Sequence, residues 1–350
     1  MLKTYLRPLG LLYGADAARV MALGRAGRLG GSSFVSFNSG EVITRDGSRV
    51  SSEVADYGDL AKDAVLARIE TSRAALCGLA LDRPKLMGIV NVTPDSFSDG
   101  GQTGEAASAI AHGLRLAAEG AHLLDVGGES TRPGSQGVAV DEEEARVIPV
   151  IGGLARAGHV VSCDTRKALV MRKAVAAGAA VINDVSALQF DGDSLGTVAE
   201  LGCPVVLMHA QGDPRTMQLN PSYDDVTLDV YDALEERIAA CAAAGIAVGN
   251  IVADPGIGFG KTFRHNLDIL SQLTILHGLG VAVLVGLSRK GFIGALTGEK
   301  AAAARASGSI GGAVQAALNG AHILRVHDVK PTAAALAVAL AAADPEASGL

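Results

Sequence analysis

Tryptophan is absent from this chain of 350 residues, which has only five tyrosines and seven phenylalanines. Aromatic cages and base-stacking platforms need more ring surface than that. A net charge of −7 also argues against a nucleic-acid-binding face. Cysteine is scarce as well. Cys77, Cys163, Cys203 and Cys241 lie far apart with no C-x-x-C pair, so neither a zinc cluster nor a disulfide framework is expected. A reduced, cytoplasmic protein is the plain expectation. No apolar run reaches the ~18 residues of a membrane span, and Leu9 to Leu12 is too short for a secretory core. Cations are thin where most of the chain lies. Residues 1–83 carry 11 basic and 9 acidic side chains, which leaves 19 and 28 in residues 84–350. An anionic substrate must therefore be met by a few placed cations, not by a general field.

What is present is apolar and rhythmic. The chain is 49% hydrophobic and 19% charged, enough to bury a full core. From Lys85 onward short apolar runs alternate with helix-like segments. The first is KLMGIVN, which breaks at Thr93-Pro94 into a polar, Gly-rich loop. Others follow at 121–127, 160–165, 181–186, 204–210, 251–256, 281–288 and 321–329. Helix-like segments separate them at 105–119, 141–157, 166–177, 193–201, 224–244, 264–277 and 302–319, with a last at 331–342. Eight strand-then-helix units predict an α/β fold, a TIM (β/α)8 barrel over 84–345. A doubly wound open sheet is the alternative, but no glycine fingerprint follows the first strand.

Residues 1–83 read as a small α+β extension. A hairpin is expected from 33–37 and 41–45 around Asn38-Ser39-Gly40, and a helix over 57–73 capped by Asp56 or Asp59. Because the first barrel strand enters at the N-terminal face, the extension is expected to cover the barrel bottom with Phe34, Phe37, Leu60 and Leu66.

Polar residues interrupt the strands at one end. Asn91, Asp125, Asp164, Asn183, His209, Asp254, Ser288, Arg325 and His327 all fall toward strand C-termini, the active-site end of such a barrel. With ESTRPGS at 129–135, CDTRK at 163–167, INDVS at 182–186, LMHAQGDPRTMQ at 207–218, DPGIGFGK at 254–261, GLSRKGFIG at 286–294 and RVHDV at 325–329, the chain resembles the dihydropteroate synthases. Arg166, Ala168, Ala210 and Ile257 depart from that pattern.

The resemblance implies condensation of 7,8-dihydropterin-6-ylmethyl diphosphate with 4-aminobenzoate, with Mg²⁺ as cofactor. It implies Asp164, Lys290 and Arg325 as catalytic, and Asp164, Asn183, Asp254, Phe259, Lys290 and Arg325 around the pterin. Asn91, Thr131, Arg132, Arg325 and His327 would meet the diphosphate, with Asn91 offering a neutral oxygen to Mg²⁺. Phe97, Thr131, Pro133, Ser135 and Ser288 would shape the aminobenzoate pocket. GIGFGK lacks the Walker spacing and is not read as a phosphate loop. A pterin-binding barrel that carries methyl groups would need the pterin residues but no diphosphate site. Two apolar segments, 301–319 and 333–343, predict a homodimer through the last two helices. Neither a nucleic acid nor a membrane is expected as a partner.

Overall fold

A computed structural model describes residues 2–92, 101–130, 137–212 and 216–345, with side chains from residue 104 in the second segment. The extension holds β1 (Leu2–Tyr13), α1 (Gly14–Ala22), β2 (Gly27–Arg28), β3 (Val35–Asp46), β4 (Arg49–Asp56) and α2 (Ala64–Glu70). After it the alternation begins: β5 (Lys85–Asn91), α3 (Gly101–Ala118), β6 (Leu123–Gly127), α4 (Val140–Arg156), β7 (Val161–Asp164) and α5 (Ala168–Ala176). Then come β8 (Val181–Asp184), α6 (Ser194–Leu201), β9 (Val205–Met208), α7 (Val226–Ala243), β10 (Ile251–Asp254) and α8 (Phe263–Ser271). The chain finishes with β11 (Ala282–Val285), α9 (Gly291–Thr297), α10 (Ala306–Leu318), β12 (Ile323–Val326) and α11 (Val329–Ala343). Strands β5 to β12 pair in parallel and close on themselves, β12 against β5, as an eight-stranded TIM barrel.

Period-2 alternation decides what each strand shows the barrel interior. Leu86, Val90, Leu124, Val126, Ile182, Val205, Leu207 and Leu324 face the helices in one large apolar cluster. The residues between them face inward. Met87, Leu123, Val181, Val206, Val252, Ala282 and Ile323 form a second cluster, a buried layer at the N-terminal end. Leu76 and Leu81, at the end of the extension, join that layer and close the barrel bottom. Two residues further along each strand the inward positions include Ile89, Asp125, Asn183, Asp254 and Arg325, so the interior turns from apolar to polar along its axis.

The extension is built differently from its sequence reading. No turn forms at 38–40; β3 runs unbroken, pairs along its length with β1 and, over Ser39–Asp46, with β4. The turn falls at Gly47, φ +61°, between the paired Asp46 and Arg49. Local turn chemistry at Asn38-Ser39-Gly40 gives way to two flanking strands. Gly40 suits its strand position for another reason: a Cβ there would approach Leu6 Cδ1 to 2.7 Å. The helix is also shorter than the periodicity predicts. It spans Ala64–Glu70, and its cap is Asp63, which accepts from the Val65 and Leu66 amides.

Phe34, Phe37, Leu60 and Leu66 pack together, with Leu340 and Ala343 of α11 against them. The two long strands cross from the head of α7 to the C-terminal ends of α10 and α11, while Leu76 and Leu81 plug the barrel bottom. Hydrogen bonds fix the extension to the barrel: Thr274 Oγ1 to the Pro8 carbonyl (2.9 Å), Tyr13 hydroxyl to the Leu318 carbonyl (3.0 Å) and Arg68 Nε to the Gly278 carbonyl (2.6 Å).

Candidate active site

The C-terminal mouth of the barrel gathers side chains that are distant in sequence. Arg325, inward on β12, donates from Nε to Asp125 Oδ2 at 2.6 Å and from Nη2 to Asp164 Oδ2 at 2.8 Å. Asn183 Nδ2 donates to the same Asp125 oxygen at 3.0 Å. Asp125 is fully buried, and its other oxygen, Oδ1, has no hydrogen-bond partner among the described residues. On the facing wall Asp254 accepts the Gly256 amide at 2.8 Å. Gly286 leaves space between the walls: a Cβ there would stand 3.6 Å from Arg325 Cβ and 3.8 Å from Asp254 Oδ2.

Lys290 enters from the loop after β11. Its ammonium donates to the Ile257 carbonyl and lies 4.2 Å from the centre of the Phe259 ring. Such a contact over a π face is attractive when desolvated. Beneath it the buried Lys261 donates to the Phe259 carbonyl (3.0 Å) and the His209 carbonyl (3.2 Å), and meets His209 Nδ1 at 2.9 Å.

Burial perturbs these groups in opposite senses. It pushes the Asp164 carboxyl up to about 7, with Arg325 opposing and Asp125 and Glu143 adding to the rise. Asp254 is raised too, by burial first and against the pull of Lys290. Burial brings the Lys290 ammonium down to about 7, although Asp254 favours its charge, and Lys261 falls to about 7 for the same reason. Carboxyls pushed up and ammoniums pushed down, side by side in one cleft, mark a functional site.

The comparisons agree with that geometry. A model of the family described as pterin binding enzyme matches residues 87–327. The dihydropteroate synthase of Neisseria meningitidis serogroup C is 50% identical over 263 residues, 74% of this chain and 92% of that protein. The solved Xanthomonas albilineans dihydropteroate synthase with 4-aminobenzoic acid has a TM-score of 0.73 and 53% identity, covering 77% of this chain and 97% of its own. The same bacterium's enzyme in complex with 7,8-dihydropteroate has a TM-score of 0.69 and 51% identity, over 75% and 95% of the two chains. This chain belongs to the dihydropteroate synthase family.

Within that family frame the structure brings together Asp164, Asn183, Asp254, Phe259, Lys290 and Arg325. His327 lies just past β12, its Nδ1 3.0 Å from Ser288 Oγ. Asn91 ends β5, paired across to Gly127. Phe97, Thr131, Arg132, Pro133 and Ser135 lie outside the described residues. Arg325, read from sequence as a diphosphate ligand among other roles, has its guanidinium engaged by two carboxylates in the barrel interior.

Sequence reasoning gave Asp125, Lys261 and His209 no role. Asp125 stood among the strand-end polar residues, and its inward parity on β6 was the available signal. Nor did sequence reasoning single out Glu129, at the start of the 129–140 loop. There Glu129 accepts from Arg166 (2.6 Å), Lys167 (2.5 Å) and the Val138 amide (3.1 Å). Burial alone would raise the Glu129 carboxyl, but Lys167, the Val138 amide and Arg166 hold it below its usual value. The departures from the family pattern acquire contacts. Arg166 also stacks 3.7 Å from the Phe190 ring, and the Ala168 amide donates to Asp191 at 2.9 Å, a bond a proline could not make.

Replacing Arg325 by Met would leave the Asp125 and Asp164 carboxylates buried without their cation. The expected cost is about 3–5 kcal/mol of stability. Urea denaturation checks it, and adding Asp125→Asn to the same chain should restore part of the loss. Wild-type stability in Arg325→Met would contradict the placement.

Proposed function

We propose that this chain joins 7,8-dihydropterin-6-ylmethyl diphosphate to 4-aminobenzoate, releasing diphosphate, by a largely dissociative substitution. The observation that carries this reading is the buried set Asp254, Asn183 and Asp164, with half-buried Lys290 and Arg325 beside them, at one barrel mouth. A pterin presents a 2-amino group and a ring N–H side by side, which one carboxylate, Asp254, can accept together. Asn183 keeps its amide oxygen and second N–H for the ring after serving Asp125. Lys290 has donors for the ring carbonyl and N5, since an ammonium carries three.

The C–O bond breaks ahead of amine attack because the pterin ring delocalises a methyl cation. Asp164 is the carboxylate placed to face that charge, and Arg325 holds it in position. The nucleophile, an arylamine already unprotonated near neutrality, needs no strong base.

Asn91 supplies one neutral oxygen at the strand end, and no cluster of three or more His, Cys, Asp or Glu able to hold a metal occurs among the described residues. That donor set suits Mg²⁺ arriving on the substrate's diphosphate with its waters retained. When bound it would neutralise charge on the leaving group. Arg132 and His327 are the chain's own cations for the same group.

A methyl-carrying pterin barrel would bind pterin without releasing diphosphate. Diphosphate release that requires both 4-aminobenzoate and Mg²⁺ is therefore the expected result, with 4-aminobenzoate or a sulfonamide binding tightly only once diphosphate and Mg²⁺ are present. Pterin binding with no diphosphate release would overturn the reading.

The reading includes a homodimer through α10 and α11 in a reducing, cytoplasmic setting. Support comes from exposed Ala334, Ala337, Val338 and Ala342 along one side of α11, and from four free cysteines. The side carrying Leu340 and Ala343 is already covered by the extension. Sedimentation at micromolar concentration should give the dimer mass, and a monomer would contradict it.

A further inference from the structure

The family match begins at residue 87, so the extension receives no role from it. Yet the extension reaches the active-site side of the barrel at one place. Around the start of α7 the chain sets Asp224, Asp225, Asp229, Asp232 and Glu235 close together. Asp225 caps the helix, accepting from the Thr227 and Leu228 amides. The cations that meet the other four, among the described residues, come from the extension. Arg45 Nη1 lies 2.6 Å from Asp229 and 3.5 Å from Asp232, and Nη2 is 3.7 Å from Asp224. Lys3 reaches Asp232 at 2.5 Å and Glu235 at 2.6 Å, and Arg68 reaches Glu235 at 3.5 Å.

From Asp229 a path of contacts runs inward. Its second oxygen accepts the Asp224 amide at 2.9 Å, which fixes the backbone beside Tyr223. The Tyr223 hydroxyl donates to the Gly260 carbonyl at 2.7 Å, and its ring stands edge-on to His265 with centres 5.0 Å apart. Gly260, φ +58°, sits so close to the β9–α7 connection that a Cβ would meet the Gln211 carbonyl oxygen at 2.4 Å. One residue earlier is Phe259, the ring under the Lys290 ammonium.

We propose that Arg45 is a positioning residue for the pterin pocket. By neutralising Asp229 and Asp224 it holds Tyr223 on Gly260, and through that loop sets the Phe259–Lys290 pair. Without Arg45 the acids at the head of α7 face one another with less countercharge, and like charges at that spacing repel. The functional half of the inference rests on Lys290 being a pterin ligand; the mechanical half does not.

Two variants of the full chain test it. Arg45→Ala removes the cation, and Tyr223→Phe removes one hydroxyl while keeping the ring. In both, KM for the pterin diphosphate should rise about fivefold, the size of one lost hydrogen bond, with kcat and KM for 4-aminobenzoate within about twofold. Amide hydrogen exchange at 256–261 should quicken in both, and Arg45→Lys should recover part of each change. An unchanged pterin KM in the two variants, whatever their melting temperatures, overturns the proposal, as does retained protection at 256–261. A wild-type chain that releases no diphosphate would contradict the proposed function instead, and the exchange measurement then decides the brace by itself.

Discussion

A guanidinium held between two buried carboxylates sets the terms for the mouth of this barrel. Arg325, Asp125 and Asp164 come from three strands; the two carboxylates are buried, and the guanidinium that joins them keeps 21% of its side chain exposed. Attraction between buried ions largely offsets the cost of their desolvation, and apolar replacements of similar volume are often as stable. The ions are therefore best understood by what they hold. Asp164 is fixed in orientation with its proton affinity lifted toward neutrality. Asp125 ties Asn183 to the same centre, so that an amide and two carboxylates present rigid edges to the cleft. Pre-set donors and acceptors of this kind need no reorganisation when a planar, hydrogen-bonding ring arrives.

The barrel makes this arrangement through strand parity. Seven of the eight strands offer an apolar residue inward near the start and several a polar one two positions later, while β7 turns Ser162 and Asp164 inward. The lower layer, closed by Leu76 and Leu81, is dry and packed; the upper layer carries the charges. The extension contributes to both ends of this axis. Its last turn plugs the bottom, and its long strands reach from the ends of α10 and α11 to the acidic head of α7.

The strand rhythm and the strand-end polar residues were legible in sequence because period 2 and chain order suffice for both. Asp254, Asn183 and Arg325 could be placed at one mouth on that ground, whereas Lys290 came from the family resemblance. Their partners could not. Asp125 and Arg325 are 200 residues apart and meet only because the last strand closes on the first. The extension was harder still. Pro8 and Gly10 break the alternation of β1, and Asn38-Ser39-Gly40 imitates a turn inside β3; only the pairing of the two strands overrides both. Lys3 with Asp232, or Arg45 with Asp229, has no local signal at all.

The central claim is that the buried polar set at the barrel mouth recognises the pterin. Calorimetric titration of the wild-type chain, Asp254→Asn and Lys290→Ala with the pterin diphosphate tests it most directly. Each substitution should weaken binding by about 1–3 kcal/mol or more, the cost of leaving a buried polar partner unpaired. Wild-type affinity in both variants would remove these residues from the site and contradict the account.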